Sequence, residues 1–363
     1  MSWRCGIIGL PNAGKTTIFN ALTAAGAEVA SYPFSTIQPN TGVVAVPDPR
    51  LKRLGELLKP ERLTPTTITF VDVAGLIAGA SKGEGLGNQF LAQIRDVDLI
   101  VHVVRCFPDG QCPHPLGSLD PVRDVEVVET ELFLADLEIL ERHRLKLERR
   151  LKAGDKKGEA AFQVLRKVEA GLDQGRWARD LGLSPEEFAQ LQEVPLLTLK
   201  PYLFVANVSE EEFHGGPCLR VLKELGDKRR VPVVPLLGDL EAELNELTPE
   251  EQREFLASLG LSEPGIHRLI RESYQLLGLV TFYTIVGPEV RAWTVPAGTP
   301  APKAAGRVHS DMERGFIRAE VMQFNDLDRF GSPARIREAG LLAVEGRDHL
   351  VRDGEILLFR FQS

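Results

Sequence analysis

Short apolar runs alternate with polar, glycine-rich or helically patterned stretches along the first part of the chain. Residues 5–10 (Cys-Gly-Ile-Ile-Gly-Leu) form one such run, followed by a Gly/Pro-rich turn and a helical pattern over residues 16–25. Residues 67–73 read as a strand, and residues 99–104 (Leu-Ile-Val-His-Val-Val) as a strand buried on both faces. Residues 203–206 and 231–237 read as two more. Strands separated by helical stretches predict an α/β fold, a doubly wound and mostly parallel sheet.

The alternation stops between residues 125 and 196. Leu132, Leu134, Leu137, Leu140, Leu145, Leu147 and Leu151 make a rough helical stripe, with Glu141-Arg142-His143-Arg144 and Glu148-Arg149-Arg150 on the other face. Gly154-Asp155-Lys156-Lys157-Gly158 is a natural hairpin tip, and a second helix is expected over residues 160–171. The pattern predicts an inserted antiparallel helical pair and a candidate coiled coil, although the heptads are few and irregular. From residue 279 onward the chain is rich in Gly, Pro and β-formers, with strands expected over 280–286, 292–295, 316–321 and 355–361. The expected division is a sheet domain of residues 1–124 and 197–278, an inserted hairpin of 125–196, and a small α+β domain of 279–363.

Composition narrows the class. Of 363 residues, 43% are hydrophobic and 26% charged, which excludes a disordered or collagen-like chain. No apolar run approaches the roughly 18 residues of a membrane span, so no membrane association is expected. Cys5, Cys106, Cys112 and Cys218 contain no CxxC pair and are too sparse for a disulfide framework, so a reducing, cytoplasmic setting is expected. A monomer is the expected state. The net charge of −8 argues against a globally basic nucleic-acid binder. Residues 279–363 carry eleven basic and eleven acidic side chains, so the excess acid lies upstream.

Gly9-Leu-Pro-Asn-Ala-Gly-Lys15-Thr16 matches the phosphate-binding pattern G-x-x-x-x-G-K-[ST], and it follows a strand and opens a helix. Phosphates need inward-pointing backbone N–H groups, and a helix N-terminus adds favourable dipole. Asn12, Ala13, Gly14, Lys15, Thr16 and Thr17 are the expected nucleotide-binding residues. Lys15 is expected to reach the β- and γ-phosphates, and the Thr16 hydroxyl to ligate Mg2+. Phe70-Val-Asp72-Val-Ala-Gly75 ends a strand with an Asp three residues before a Gly. Asp72 is expected to hold Mg2+ through water, and the Gly75 N–H to sense a γ-phosphate. Thr36, in the irregular loop Tyr-Pro-Phe-Ser-Thr-Ile, is a candidate second Mg2+ ligand and catalytic-site residue. Gly79, Gly83, Gly85 and Gly87 follow directly and give the next stretch the freedom of an order–disorder switch.

These motifs, together with Gly79-Ala-Ser-Lys-Gly-Glu-Gly-Leu-Gly-Asn-Gln-Phe-Leu91 and Asn207-Val-Ser-Glu210, resemble the YchF, or Obg-like ATPase, family of translation-factor-type P-loop NTPases. Ala304-Ala-Gly-Arg-Val-His-Ser-Asp311 and Gly315-Phe-Ile-Arg-Ala-Glu320 resemble its TGS domain, a β-grasp module. The resemblance covers essentially the whole chain. It implies an enzyme, a P-loop NTPase hydrolysing ATP or GTP, associated with ribosomes.

Guanine is normally read by Asn-Lys-x-Asp after a strand, whereas this chain has Asn207-Val208-Ser209-Glu210. Val208 cannot stack as a Lys does, and Glu210 is one methylene longer than Asp, so the guanine preference should weaken and ATP is favoured. Glu210 has a plainer reading as a surface acid in Ser-Glu-Glu-Glu. Many small GTPases orient the attacking water with a Gln directly after the DxxG motif, where this chain has Leu76. His114, in the loop of residues 108–121, is one candidate replacement, against an ordinary surface histidine. K+ is another candidate: Asn12 stands where related NTPases use an Asn oxygen to hold it, against an Asn that only shapes the loop.

Eight basic residues (Arg142, Arg144, Lys146, Arg149, Arg150, Lys152, Lys156 and Lys157) concentrate on the hairpin, opposed by Glu148 and Asp155. They are a candidate ribosomal-RNA contact, with Lys303, Arg307, Arg314 and Arg318 as a second. Two functions therefore stand: an ATP-hydrolysing ribosome-associated switch, and a nucleotide-sensing RNA- or protein-binding module whose slow hydrolysis is incidental.

Overall fold

The structure, a computed structural model, describes residues 3–24, 40–73, 86–108, 112–153 and 158–362. It separates into two compact units. One comprises Trp3–Val43 and Thr69–Leu269, the other Val44–Ile68 and Ile270–Ser363.

In chain order the strands up to residue 236 are β1 (Arg4–Ile8), β2 (Asn40–Ala45), β3 (Arg62–Thr64), β4 (Thr67–Asp72), β5 (Leu99–Cys106), β6 (Tyr202–Val208) and β7 (Val233–Leu236). The first sheet runs β2-β4-β1-β5-β6-β7. β1 pairs in parallel with β4 and β5, β5 with β6, and β6 with β7. Every residue of β5 and β6 is buried, as strands covered on both faces require. The first five helices are α1 (Lys15–Ala24), α2 (Pro49–Leu58), α3 (Leu86–Arg95), α4 (Pro121–Lys152) and α5 (Glu159–Asp173).

α4 begins with Asp120, whose side chain accepts from the Arg123 N–H, and with Pro121 in the first turn, where a missing N–H does no harm. α4 and α5 run antiparallel, with Arg144 Nε 3.0 Å from Glu169 Oε1 and Leu147 beside Gly158. This is the helical pair expected from the leucine stripe. Its base is not a freestanding arm. Val125, Val128, Leu132, Leu140, Val164, Val168 and Leu172 share one core with the sheet residues Tyr202, Phe204 and Ala206. Trp177 stacks on Tyr202 at 3.9 Å between ring centres, and its indole N–H donates to Glu129 at 3.1 Å. Asp136, fully buried, accepts from the Leu197 N–H (2.9 Å), the Thr198 N–H (2.8 Å) and the Thr198 hydroxyl (2.7 Å). Burial pushes its pKa up to about 6 against those three bonds. Beyond this base the helix surface turns polar, with Arg142, Lys146, Arg149, Arg150 and Lys152 exposed. The hairpin tip, residues 154–157, lies outside the described residues.

The second unit is built on β8 (Leu279–Val286), β9 (Glu289–Pro296), β10 (Phe316–Gln323), β11 (Ala343–Glu345) and β12 (Glu355–Phe361). Its sheet runs β11-β10-β12-β8-β9-β3. One face packs on the helix Ala301–Val308 through Ala301, Ala304, Ala305, Phe282, Val295 and Leu357. The other packs on α2 and on the helices Phe324–Phe330 and Pro333–Glu338 through Leu51, Leu54, Tyr283, Ala292, Met322 and Ile336.

The second compact unit therefore takes in residues 44–68 as well as the range 279–363 expected for the small α+β domain. β3 pairs in parallel with β9 as a sixth strand (Arg62 with Glu289, Thr64 with Arg291), and α2 supplies apolar side chains to the second face. The N-terminus of α2 is pinned within this unit. Arg50 donates to Asp48 at 3.1 Å and to Asp353 at 2.6 Å, Tyr283 donates to Asp48, and the Thr281 N–H donates to Asp353 at 2.8 Å. A three-residue polar strand and an amphipathic helix carry no local mark of which sheet they join.

Candidate active site

The loop between β1 and α1 is shaped by two glycines and one asparagine. Gly9 has φ +148° and Gly14 φ +88°. A Cβ at Gly9 would overlap the Val103 carbonyl, and one at Gly14 would overlap the Asn207 amide. Asn12 takes the left-handed φ of 63°, which Asn tolerates better than most residues. The expected motif glycines are therefore required by backbone angle and by close approach.

Lys15, only 7% exposed, begins α1 and donates from Nζ to the Leu10 carbonyl at 2.8 Å. Burial lowers its pKa to about 8, and the nearby Asp72 carboxylate pulls the other way. Asp72, the last residue of β4, has its pKa raised by burial, against the Thr16 hydroxyl and the Lys15 charge. The Thr16 hydroxyl donates to Asp72 Oδ2 at 3.0 Å. The structure thus brings Asp72 to Lys15 and Thr16, although Asp72 lies 56 residues beyond Thr16 in the sequence. Thr36, Gly75 and the glycine-rich segment up to Gly85 lie outside the described residues.

The donor set at Thr16 and Asp72 fits Mg2+. Both groups offer hard oxygens already within hydrogen-bond reach of each other, and Mg2+ is usually held by one or two such protein ligands together with phosphate and water. Among the described residues no group of three or more His, Cys, Asp or Glu forms a closed metal cage.

Beside the loop lies a cavity of about 1020 Å3. Asn12, Gly14 and Thr17 form one wall, and Asn207, Val208, Ser209 and Glu210 another. Asn207 is 5% exposed and joins two loops. Its Nδ2 donates to the Ala13 carbonyl at 3.1 Å, and its Oδ1 accepts from the Gly238 N–H at 3.2 Å. Gly238 opens the helix Gly238–Leu244. Val208 is buried and Glu210 exposed at the start of a short helix.

Three cavity features had no sequence signal strong enough to name them. Phe107 and Cys112 line the cavity together with Glu210, Asp239 and Glu243. Arg105, 4% exposed, holds Phe107 and Cys112 in place. It donates to the carbonyls of Phe107 (3.1 Å), Asn12 (3.4 Å) and Cys112 (2.9 Å), and its guanidinium lies 4.7 Å from the Phe107 ring centre. An arginine inside a buried strand that is apolar but for His102 was the available clue.

His114 sits next to the loop. It bonds Asp124 at 2.7 Å, and its neighbour Pro113 accepts from Asn12 Nδ2 at 3.3 Å. Among the described residues no helix is long and apolar enough to cross a membrane.

Comparisons with known proteins bear on the family and the fold. A family model described as a 50S ribosome-binding GTPase matches residues 4–142. A model of the C-terminal domain of YchF-type GTPases, described as a protein of unknown function, matches residues 279–362. A protein of Haemophilus influenzae named ribosome-binding ATPase YchF is 50% identical over 361 residues, covering 99% of each chain. A protein of Bacillus subtilis with the same name is 45% identical over 364 residues, covering 99% of this chain and all of its own. Among solved structures, the YchF GTPase of Schizosaccharomyces pombe superposes with a TM-score of 0.87 at 34% identity, over 99% of this chain and 98% of that one. A GTP-binding protein of Pyrococcus horikoshii, 19% identical with a TM-score of 0.63 over the whole of both chains, shares the fold.

Proposed function

The chain belongs to the YchF family, and from that premise we propose that it hydrolyses ATP with Mg2+ and acts as a slow switch on the ribosome. The observation that carries the reading is the convergence of Lys15, Thr16 and Asp72 beside the cavity bounded by Asn207–Glu210. The names of the relatives supply ATP and the ribosome.

In this reading the backbone N–H groups around Gly14 and the Lys15 ammonium bind the phosphates, and Lys15 stabilises the charge that develops as the γ-phosphoryl transfers. Thr16 and Asp72 hold Mg2+, which when bound neutralises phosphate charge. Thr36 would join them in the triphosphate state, and Gly75 would sense the γ-phosphate. Leu76 cannot orient water, so His114 takes that role. Asn12 spends its amide nitrogen on Pro113, leaving Oδ1 as the acceptor for K+.

Hydrolysis is expected to be slow alone and to accelerate with ribosomes, which the exposed basic residues of α4 would contact. Turnover measured with and without ribosomes, in K+ and in Na+ buffers, tests this. No ribosome response would sink the switch, and equal rates in the two cations would remove Asn12 from cation binding. For the base, ATP is expected to bind more tightly than GTP. The combined change Val208→Lys with Glu210→Asp should move preference towards guanine by about tenfold or more. Calorimetry on both proteins with both nucleotides measures it, and an unmoved ratio would mean that the base sits elsewhere.

A further inference from the structure

The group read here as orienting the attacking water is fastened to the foot of a long helix. The side chains of His114 and Asp124 are 8% and 5% exposed, and Nε2 lies 2.7 Å from Asp124 Oδ2. On the other side of the ring the Leu116 backbone N–H donates to Nδ1 at 3.2 Å. An N–H can donate only to a nitrogen that keeps its lone pair. Nδ1 is therefore the bare nitrogen, Nε2 carries the proton, and Nε2 donates to the carboxylate. Both ring nitrogens are occupied, and such a histidine has neither a lone pair nor an N–H to offer a water.

The carboxylate is itself held. Asp124 Oδ1 accepts from Arg123 Nε at 3.3 Å and Nη2 at 3.1 Å, and Arg123 also donates to the Ser118 hydroxyl at 2.9 Å. The pair nevertheless borders the phosphate loop. With Leu10, Pro11, Ala13 and Arg105 it encloses a void of about 10 Å3. Asn12 and Arg105 hold the two preceding carbonyls, those of Pro113 and Cys112.

Asp124 stands in the first turn of α4, and the same helix carries Arg142, Lys146, Arg149, Arg150 and Lys152 exposed near its other end. A helix of 32 residues spans about 48 Å. We propose that Asp124 is a positioning residue for His114: it holds the histidine in a resting arrangement at the foot of α4, and a load on the basic end of that helix releases it towards the phosphates. The proposal rests on the reading of His114 as the water-orienting group. It gives the ribosome response a route through one continuous element whose two ends do different work.

The test uses the full chain. Asp124→Asn keeps the shape but sets an amide N–H against either Nε2–H or Arg123. It is expected to raise ATP turnover without ribosomes by about fivefold or more, with nucleotide Kd unchanged within about twofold, and to shrink the stimulation by ribosomes. His114→Ala should be slow, and the double variant should be as slow as His114→Ala alone, because the released group is gone. Lower turnover in Asp124→Asn, or a rise that survives in the double variant, overturns the proposal. A slow His114→Ala beside an unaltered Asp124→Asn refutes the latch and leaves the histidine's role standing. A His114→Ala protein with full turnover removes that role and the latch with it. If Asp124→Asn does not fold, Arg123→Gln, at a side chain 32% exposed, loosens the same carboxylate and should give a smaller rise in the same direction.

Discussion

Lys15→Ala is expected to lower ATP turnover by about three orders of magnitude, in line with the loss of a preorganised charge at a phosphoryl-transfer site. The side chain is 7% exposed and starts its helix beside Asp72. The same burial gives the residue a signature in affinity. Its pKa in the free protein is lowered to about 8, and bound phosphate must raise it. Below pH 8 the ammonium is ready-made. Above it, binding must first take up a proton, so Kd is expected to rise by about tenfold per pH unit from pH 8 upward. A titration of nucleotide affinity between pH 6.5 and about 9.5 checks this. Lys15→Ala should bind weakly with no such slope, and a wild-type affinity that is flat across the range would assign the phosphate contact to another group.

The second large effect is expected at Asn207. One amide side chain fixes the phosphate loop through the Ala13 carbonyl and the start of the helix Gly238–Leu244 through the Gly238 N–H, at 3.1 and 3.2 Å. Both partners are buried main-chain groups. Asn207→Ala leaves both without a partner, at about 1–3 kcal/mol for each. Part of that is lost stability and part is lost preorganisation. Nucleotide affinity is expected to fall by about a hundredfold, with a lower melting temperature. Asn207→Asp separates the two bonds. It keeps an acceptor for Gly238 but turns a carboxylate oxygen towards the Ala13 carbonyl, so it should bind nucleotide no better than Asn207→Ala. Fluorescent-nucleotide titration of the three proteins measures the ordering, and wild-type affinity in Asn207→Asp would show that the Ala13 bond carries nothing.

Much of the first unit was legible in the sequence because its strands are buried on both faces. β5 and β6 are buried along their whole length and apolar apart from His102, Arg105 and Asn207, and the loop before Lys15 has a pattern fixed by backbone angle. The four strands expected after residue 279 also appear, three of them extended at their ends. What escaped was non-local or disguised. β3 is Arg-Leu-Thr, an edge strand whose partner lies more than 200 residues away. β11 is equally short and exposed. Arg105 was hidden inside a strand that otherwise reads as pure core, because nothing local says that a lone charge there will bind three carbonyls. The pairing of Thr16 with Asp72 was legible as motif chemistry. The engagement of both His114 nitrogens was not, since it depends on the entry of α4.

The sixth strand of the second sheet limits how this chain can be taken apart. A fragment cut at residue 279 would carry β8 to β12 but leave β9 with an unpaired edge and the second face without Leu51 and Leu54. An open edge next to uncovered apolar surface invites self-association. The C-terminal module is thus not a transferable cassette. Any transplant, truncation or fusion that is to keep its sheet edge and second face covered must also bring residues 44–68, a stretch that runs directly into the strand ending at Asp72. Recombination between relatives would be constrained likewise, since exchanging the module by a single crossover would separate a sheet from its own border strand.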